Sequence, residues 1–337
     1  MKSLIVSVIL ALLFFLNGLD ARKYGLLDKV STTIVVDKNG KGKFTTVQQA
    51  IDSIPSNNSV WTRIHLNHGI YVEKVEIKKP YIILEGDLNH PPVIAFGDAG
   101  SVVDSPTFKL NADNFVARNI VFKNTYDRLL PSKLDGGGYN TTWAPAAAIA
   151  GDKASFYHCS FISLQDTLTD AKGRHYFYDC QLSGAIDFIW GNGQSIYEKC
   201  QIKSLASKLG HQRAGFITAQ GRENADETSG FVFKNCHVTG SSPINLGRAF
   251  AKYARVLFAG TTMDNIITPQ GWDAAWSKGS ENLISFSEAN CSGPGANMSK
   301  RIKWEKKLSD QEVNDLTSLA YINQDGWIEK QTRYISP

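Results

Sequence analysis

The chain has 337 residues, 42% of them hydrophobic and 20% charged, with 28 glycines and a formal net charge of +4. That supplies core material for one large domain or two small ones and excludes a disordered chain. Without a dense Lys/Arg block or a recognisable nucleic-acid motif, the charge excludes nucleic acid as the expected partner; the small basic excess suits a polyanion or is simply a solvated lysine-bearing surface.

Residues 1–21 carry Lys2, an apolar run over 4–16 and small or polar residues after it, the layout of a secretory signal peptide. The run is too short to span about 30 Å of hydrocarbon comfortably, and no second long apolar segment follows. The mature protein is therefore expected to be secreted and soluble, with no membrane partner. Removing the leader takes away one lysine and one aspartate and leaves the charge balance unchanged. Sequons at Asn57, Asn140, Asn290 and Asn297 agree with export.

After a short segment over 22–32, Gly40-Lys41-Gly42-Lys43-Phe44 lacks both the third glycine of a dinucleotide turn and the Gly-Lys-Ser/Thr end of a P-loop. It reads as a plain turn. Thr45 and Gln48 then form a capping-box pattern ahead of an apolar-periodic stretch that Pro55 ends after Ile54, which predicts one short helix.

Beyond Trp61 the texture changes to β-branched and aromatic runs broken by glycine, asparagine and proline: RIHLNHG, YIILEGD, FVARNIVFKN, ASFYHCSF, HYFYDCQL, SIYEKCQI, FVFKNCHV and ARVLFAGTTM. Most read as strands of about five residues. Aligned on a central small residue they give Asn119, Cys159, Cys180, Cys200, Cys236 and Thr261, a base period of about 20 to 25 residues with two long insertions, as in a solenoid of stacked coils. A sandwich would need hairpin turns every ~8–12 residues, and a βαβ fold would need intervening helices. Neither pattern occurs, so the expected fold is an all-β, single-stranded parallel β-helix with short N-terminal and C-terminal helices.

The cysteine column reads as a ladder of small buried side chains; a Cys200–Cys236 disulfide is the alternative, since adjacent coils hold Cα atoms within roughly 4.4–6.8 Å. With no CxxC pair and no HExxH helix, no metal site is expected. Ser309 and Glu312 form a second capping box before a periodic run to about Ile322, predicting a helix packed on the outside of the solenoid.

The chemistry centres on two aspartates. Asp166 in QDTL lies seven residues after Cys159, and Asp187 in AIDFIWG lies seven after Cys180. In consecutive coils they share one phase, with backbones about 4.8 Å apart. Carboxylates that close cannot both ionise comfortably, which supplies an acid and a base or nucleophile from identical residues; two solvated turn aspartates are the bland alternative. Gln165 can offer an amide N–H to an oxyanion, and Arg248 in LGRAF can hold Asp187 ionised. Phe188, Trp190, Phe250, Trp272 and Trp276 are rings for sugar stacking or for the core. No G-x-S-x-G occurs, so an esterase here needs a carboxylate nucleophile.

GIYVE (69–73), QDTL (165–168), DFIWG (187–191), TAQGR (218–222), LGR (246–248) and PQGW (269–272) together resemble the plant pectin methylesterases, as do the opening DKNGKGKFTTVQQAID (37–52) and the closing CSGPGA (291–296). The resemblance runs over 33–327 and is to the short type without an inhibitor-like pro-region. It implies a right-handed parallel β-helix over 33–337 that hydrolyses the C6 methyl esters of homogalacturonan in the plant cell wall, as a monomer without cofactor. It implies Asp187 as nucleophile, Asp166 as proton donor and later base, Gln165 as oxyanion stabiliser, and Arg248, Phe250 and Trp272 as substrate-binding residues. A proteinaceous pectinesterase inhibitor is a further implied partner. Against the family pattern, Trp143 stands where a second oxyanion glutamine is usual, a donor whose loss costs about 10²–10³ in rate unless Thr141, Thr142 or a backbone N–H substitutes. Phe250 replaces the usual tryptophan after LGR, and GWDAAW is one residue longer than the family's segment, which leaves Trp276 less well assigned than Trp272. Two other readings stay open: a non-catalytic or weakly active pectin- or inhibitor-binding relative, and a β-helix enzyme that cleaves the pectin backbone, since carboxylates ~5 Å apart also suit a retaining glycosidase.

Overall fold

The computed structural model describes residues 30–131, 139–209 and 214–331. The expected leader, most of the segment after it and the last six residues lie outside these.

Three parallel sheets run the length of the molecule, and from Thr62–Leu66 onward the chain visits them in rotation, interrupted by a two-stranded antiparallel pair, Leu130–Pro131 with Tyr139–Asn140. One turn is Arg174–Tyr178 in the first sheet, Gln181–Gly184 in the second and Ile189–Gly191 in the third; the next begins at Gln194–Glu198. Each strand pairs in parallel with its counterpart one coil away, as in His175↔Ser195 and Leu182↔Ile202. Among the described residues the first sheet has ten strands and the other two have eight each. The fold is a parallel β-helix, as the period predicts.

Six of the eight runs read from the sequence, all but RIHLNHG and YIILEGD, are in fact corners that join two strands. ASFYHCSF is Ala154–Tyr157 and Ser160–Ile162 with a bend between them. The bend is made by a residue in the left-handed region: Asn119, His158, Asp179, Lys199 and Asn235 all have φ between 50° and 56°. Asparagine and aspartate tolerate that conformation; histidine and lysine accept it because the pairing on both sides determines the turn. This geometry moves one member of the predicted column. Arg118↔Tyr157 and Val121↔Ser160 place Ile120, not Asn119, level with Cys159. By the same register Cys291 joins the end of the column, through Ala259↔Ala289 and Thr262↔Ser292.

All five cysteines are free thiols, so the ladder is the observed arrangement and the Cys200–Cys236 bridge is not formed. The S–H groups of Cys180, Cys200, Cys236 and Cys291 point at backbone carbonyls of the preceding coil, as Cys180 does to Phe156 at 3.4 Å. Burial pushes the Cys159, Cys180 and Cys200 thiols well up. Beside them runs an aromatic stack: Phe156, Phe177, Tyr197, Phe233 and Phe258 have successive centroids 4.9, 4.5, 4.7 and 4.4 Å apart, nearly parallel. The strand spacing sets that interval, and it coincides with favourable ring stacking.

The helix before Pro55, α1, covers Val47–Asp52 and packs Val47, Ala50 and Ile51 against the first coil. Its cap differs from the predicted Thr45/Gln48 box. Thr46 accepts the Gln49 N–H, and the carboxylate of Glu73, in the bend between the strands Ile70–Val72 and Val75–Ile77, accepts from Val47 and Gln48 at 2.8 and 2.9 Å. An anion supplied from another coil suits the positive end of a helix and frees the Gln48 side chain to bond the Glu76 backbone. At the other end Ser309 and Glu312 form the predicted box on α2, Asp310–Thr317. That helix stops short of the predicted Ile322, because Ser318 starts a new capped turn at Leu319–Tyr321. A last short helix, α3, spans Trp327–Lys330. This tail packs Ile322 and Trp327 on the outer face of the first sheet, against Tyr176, Ile196, Val232 and Leu257. Among the described residues no helix is long and apolar enough to cross a membrane.

A histidine–aspartate pair is sealed in the interior. His175 is fully buried; its Nδ1 meets Asp170 at 2.5 Å and its Nε2 meets the Gly151 carbonyl at 2.8 Å. The Tyr197 hydroxyl donates to the other Asp170 oxygen at 2.6 Å. Burial by itself would push the imidazole down, but the adjoining Asp170 carboxylate outweighs it and holds His175 above its ordinary value. Asp170 ends the strand that starts just after Asp166, so this pair ties the third sheet to the first. His175→Ala should lower unfolding stability by about 3–5 kcal/mol, read from urea denaturation, because it strands a buried carboxylate. The double variant Asp170→Asn/His175→Gln should recover most of that loss; a cost for His175→Ala below about 1 kcal/mol would show that the pair anchors nothing.

Candidate active site

Asp166 and Asp187 lie in the turns that lead from the second sheet to the third. The Gln165↔Ile186 bridge, with the Asp166 N–H on the Ile186 carbonyl at 3.0 Å, sets the two aspartates level on adjacent coils. Both have positive φ, 58° and 46°, a conformation that aspartate accepts more readily than most residues. Nine-tenths or more of each side chain's surface is withdrawn from water.

The environment separates them. Arg248 grips Asp187 with a fork: Nε donates to Oδ1 at 2.7 Å, and Nη2 makes a close contact with Oδ2. Its guanidinium lies between the rings of Phe216 and Trp276, 4.6 and 4.8 Å from their centroids, which fixes its plane. Arg248 comes from two coils further on, and Gly247 permits the approach. A Cβ there would meet the Thr218 hydroxyl at 2.0 Å, closer than any real contact. Burial pushes the Asp187 carboxyl up while Arg248 pulls it back. Asp166 is raised to about 8, by burial first and then by the Asp187 charge, with Arg248 opposing more weakly. The pair therefore holds one proton on Asp166 near neutrality and leaves Asp187 the ionised partner of an arginine.

Gln165 is half-buried beside Asp166, and its carbonyl accepts the Ala144 N–H at 3.4 Å. Trp143 is therefore one coil before the pair, 49% exposed, with its carbonyl accepting from Gly100 at 2.8 Å. The Thr141 hydroxyl, two residues earlier, is buried without a hydrogen-bond partner.

The aromatic residues divide in a way that spacing does not reveal. Phe188 is in the core. Trp272, expected to contact substrate, is only 2% exposed and packs its ring on Phe286 at 4.7 Å. The cause is strand alternation: Trp272 pairs with Gly247 and Asp273 with Arg248, so the tryptophan takes the inward side. Phe250 is 48% exposed and Trp276 is 62% exposed, with ring centroids 5.1 Å apart; Trp190 touches Phe250 from below at 6.0 Å. Trp276 thus stands where the sequence points to Trp272, and Phe216, beneath Arg248, carries no local sequence signal at all. A cavity of about 260 Å³ opens beside Phe250 and Trp276, lined also by Glu223, Lys252 and Ser277. On the other side of the aspartates a cavity of about 500 Å³ is lined by Asp98, Tyr126, Asp127, Arg128 and Thr142 among others. Among the described residues no cluster of His, Cys, Asp and Glu is arranged to hold a metal ion.

The family model described as pectinesterase matches residues 33–325. A probable pectinesterase 29 of Arabidopsis thaliana is 44% identical over 313 residues, covering 92% of this chain and 92% of that protein. A probable pectinesterase 55 of the same organism is 43% identical, over 90% and 92%. The pectin methylesterase from carrot has a similar structure, with TM-score 0.79 and 26% identity over 90% of this chain and 97% of that one. A pectin methylesterase in complex with a hexasaccharide matches with TM-score 0.71 and 26% identity over 86% and 96%.

Between about pH 4 and pH 8 the folded chain holds a proton on Asp166 that the unfolded chain has released. This residue's contribution to stability is complete below about pH 4 and is lost as pH rises through about 8. Asp166→Asn, with no proton to lose, should melt with wild type near pH 4 and about 2–6 °C above it near pH 8 in scanning calorimetry. A difference that does not grow with pH would contradict the raised Asp166 value.

Proposed function

The chain belongs to the pectinesterase family, and from that footing we propose that its two buried aspartates divide the work of the reaction. The protein is a pectin methylesterase, an enzyme that removes methyl groups from pectin. The observation that carries the division of labour is the asymmetry of the pair: Asp187 is forked to Arg248, while Asp166 keeps its proton to about pH 8.

Asp187, ionised and oriented by the fork, attacks the C6 carbonyl carbon of a methyl galacturonate. The carbonyl electrons move onto oxygen, where the Gln165 amide donates a hydrogen bond. Collapse of this intermediate breaks the bond to the methoxy group, Asp166 gives that group its proton, and methanol leaves an acyl-enzyme joined through an Asp187 oxygen. Asp166, now a carboxylate, takes a proton from the water that attacks the acyl carbon. Galacturonate departs, Asp187 returns as carboxylate, and Asp166 is again an acid. Phe250 and Trp276 provide ring surface beside the 260 Å³ cavity for neighbouring sugars.

The substrate in this reading is methyl-esterified homogalacturonan of the plant cell wall. The leader-like residues 1–21 and the exposed sequon asparagines Asn57, Asn290 and Asn297 support export, with residues 33–337 as the catalytic unit. The side chain of Asn140 lies outside the described residues.

In a methanol-release assay on esterified pectin, Asp187→Asn should abolish turnover and Asp166→Asn should lower kcat by about 10²–10⁴. Wild-type kcat should fall as pH rises past about 8, where Asp166 loses the proton it donates. Unchanged methanol release by Asp187→Asn would overturn the assignment. Shortening of the polymer without methanol would overturn the reaction itself.

A further inference from the structure

Among the described residues, the large aromatic side chains left exposed are Trp143, Phe250 and Trp276, and all three border the aspartate pair. Phe250 and Trp276 stand on the side of Arg248. Trp143 stands on the opposite side, one coil before Gln165. Strands through Ala147–Ile149, Leu168–Asp170, Ile189–Gly191, Gly215–Gln220 and Ile244–Ala249 pair in that order, so four coil steps separate Trp143 from Phe250. At about 4.8 Å per coil that is roughly 19 Å along the solenoid axis. Phe250 is level with Ala150, so the two rings are also offset across the strands, with room for several sugar rings and the aspartates between.

Trp143 is not exposed through neglect. Its backbone is pinned on both sides, by Gly100 donating to its carbonyl and by Ala144 donating to Gln165. An exposed indole costs free energy in water unless something covers it. Beside it, Thr142 lines the 500 Å³ cavity, which matches the smaller cavity beyond Phe250. The pair thus lies between two cavities, one edged by Phe250 and Trp276 and the other lined by Thr142, the neighbour of Trp143. A tryptophan presents a broad apolar face and a single N–H, a poor replacement for a carboxamide but a good shelf for the C–H face of a pyranose.

We propose that Trp143 is a specificity-determining residue that stacks on a galacturonosyl ring of the polymer, on the opposite side of the reacting ester from Phe250 and Trp276. The position that the family resemblance gives to an oxyanion donor is here used to bind chain. This rests on the reading of Asp166 and Asp187 as the reacting pair. The consequence is a preference for long substrates: a chain that reaches both shelves gains from Trp143, and one too short to reach it does not.

The test is methanol-release kinetics for wild type, Trp143→Ala and Trp143→Phe, on polymeric pectin and on a methyl-esterified galacturonate dimer, with melting temperatures to establish folding. Trp143→Ala should raise KM for the polymer about tenfold with kcat within about twofold, and should leave kcat/KM for the dimer within about twofold. Trp143→Phe, which keeps a ring and loses the N–H, should stay within about twofold of wild type throughout. A fall in kcat at unchanged KM in both variants would overturn the proposal, because Trp143 would then act on the reacting ester. Unchanged polymer KM in Trp143→Ala would overturn it too. Failure of the underlying reading shows elsewhere, as methanol release that persists in Asp187→Asn.

Discussion

Coil-on-coil strand pairing is the constraint from which the rest of the molecule follows. Each residue is held one strand spacing from its counterpart in the next turn, so any side chain repeated in sequence becomes a column in space. Phenylalanines become a stack at 4.4–4.9 Å, and cysteines become a ladder of thiols. The same spacing brings together Asp166 and Asp187, which would repel if both were ionised. The cost is met by the many backbone hydrogen bonds on either side and by the Asp170–His175 pair at the far end of the strand. Strain of this kind persists at a site only where the surrounding structure determines it.

Adjacency alone would give two equal carboxylates. Inequality comes from another part of the chain, through a guanidinium two coils along that bonds only one of them. Three residues with no acid–base chemistry make that possible. Gly247 lets its strand close on Thr218, and Phe216 and Trp276 hold the guanidinium plane between their rings. Arginine is suited to the place because its flat fork accepts both stacking and a bidentate carboxylate, which a lysine cannot match.

The insertions that interrupt the period also have a place. The long step before Cys159 contains residues 125–146, which carry Trp143 and much of the larger cavity wall. On the far side, Phe250 and Trp276 follow the ends of third-sheet strands. A regular solenoid thus supplies the fixed carboxylates, while segments outside the repeat supply the exposed rings and cavity walls on either side of them. Loops carried on a rigid scaffold commonly do this.

Much of this was legible in the chain alone. The interval between Asp166 and Asp187, the cysteine period and the Ser309/Glu312 box each depend on residues close in sequence or repeated at one spacing, so pattern alone carries them. Other features depend on partners that no local window contains. The corner at Asn119 shifts its column by one residue because pairing decides which residue bends. Thr46 replaces Thr45 as a cap because Glu73 arrives from another coil. Trp272 turns inward and leaves Trp276 outside because the register to Gly247 and Arg248 sets its side of the strand. The sequence by itself determined the solenoid, the family and the two aspartates, because periodic pairing and short motifs are properties of order along the chain. Only the tertiary structure decided how deeply each aspartate is buried and which rings lie inward and which stay exposed, because burial and exposure belong to positions in space.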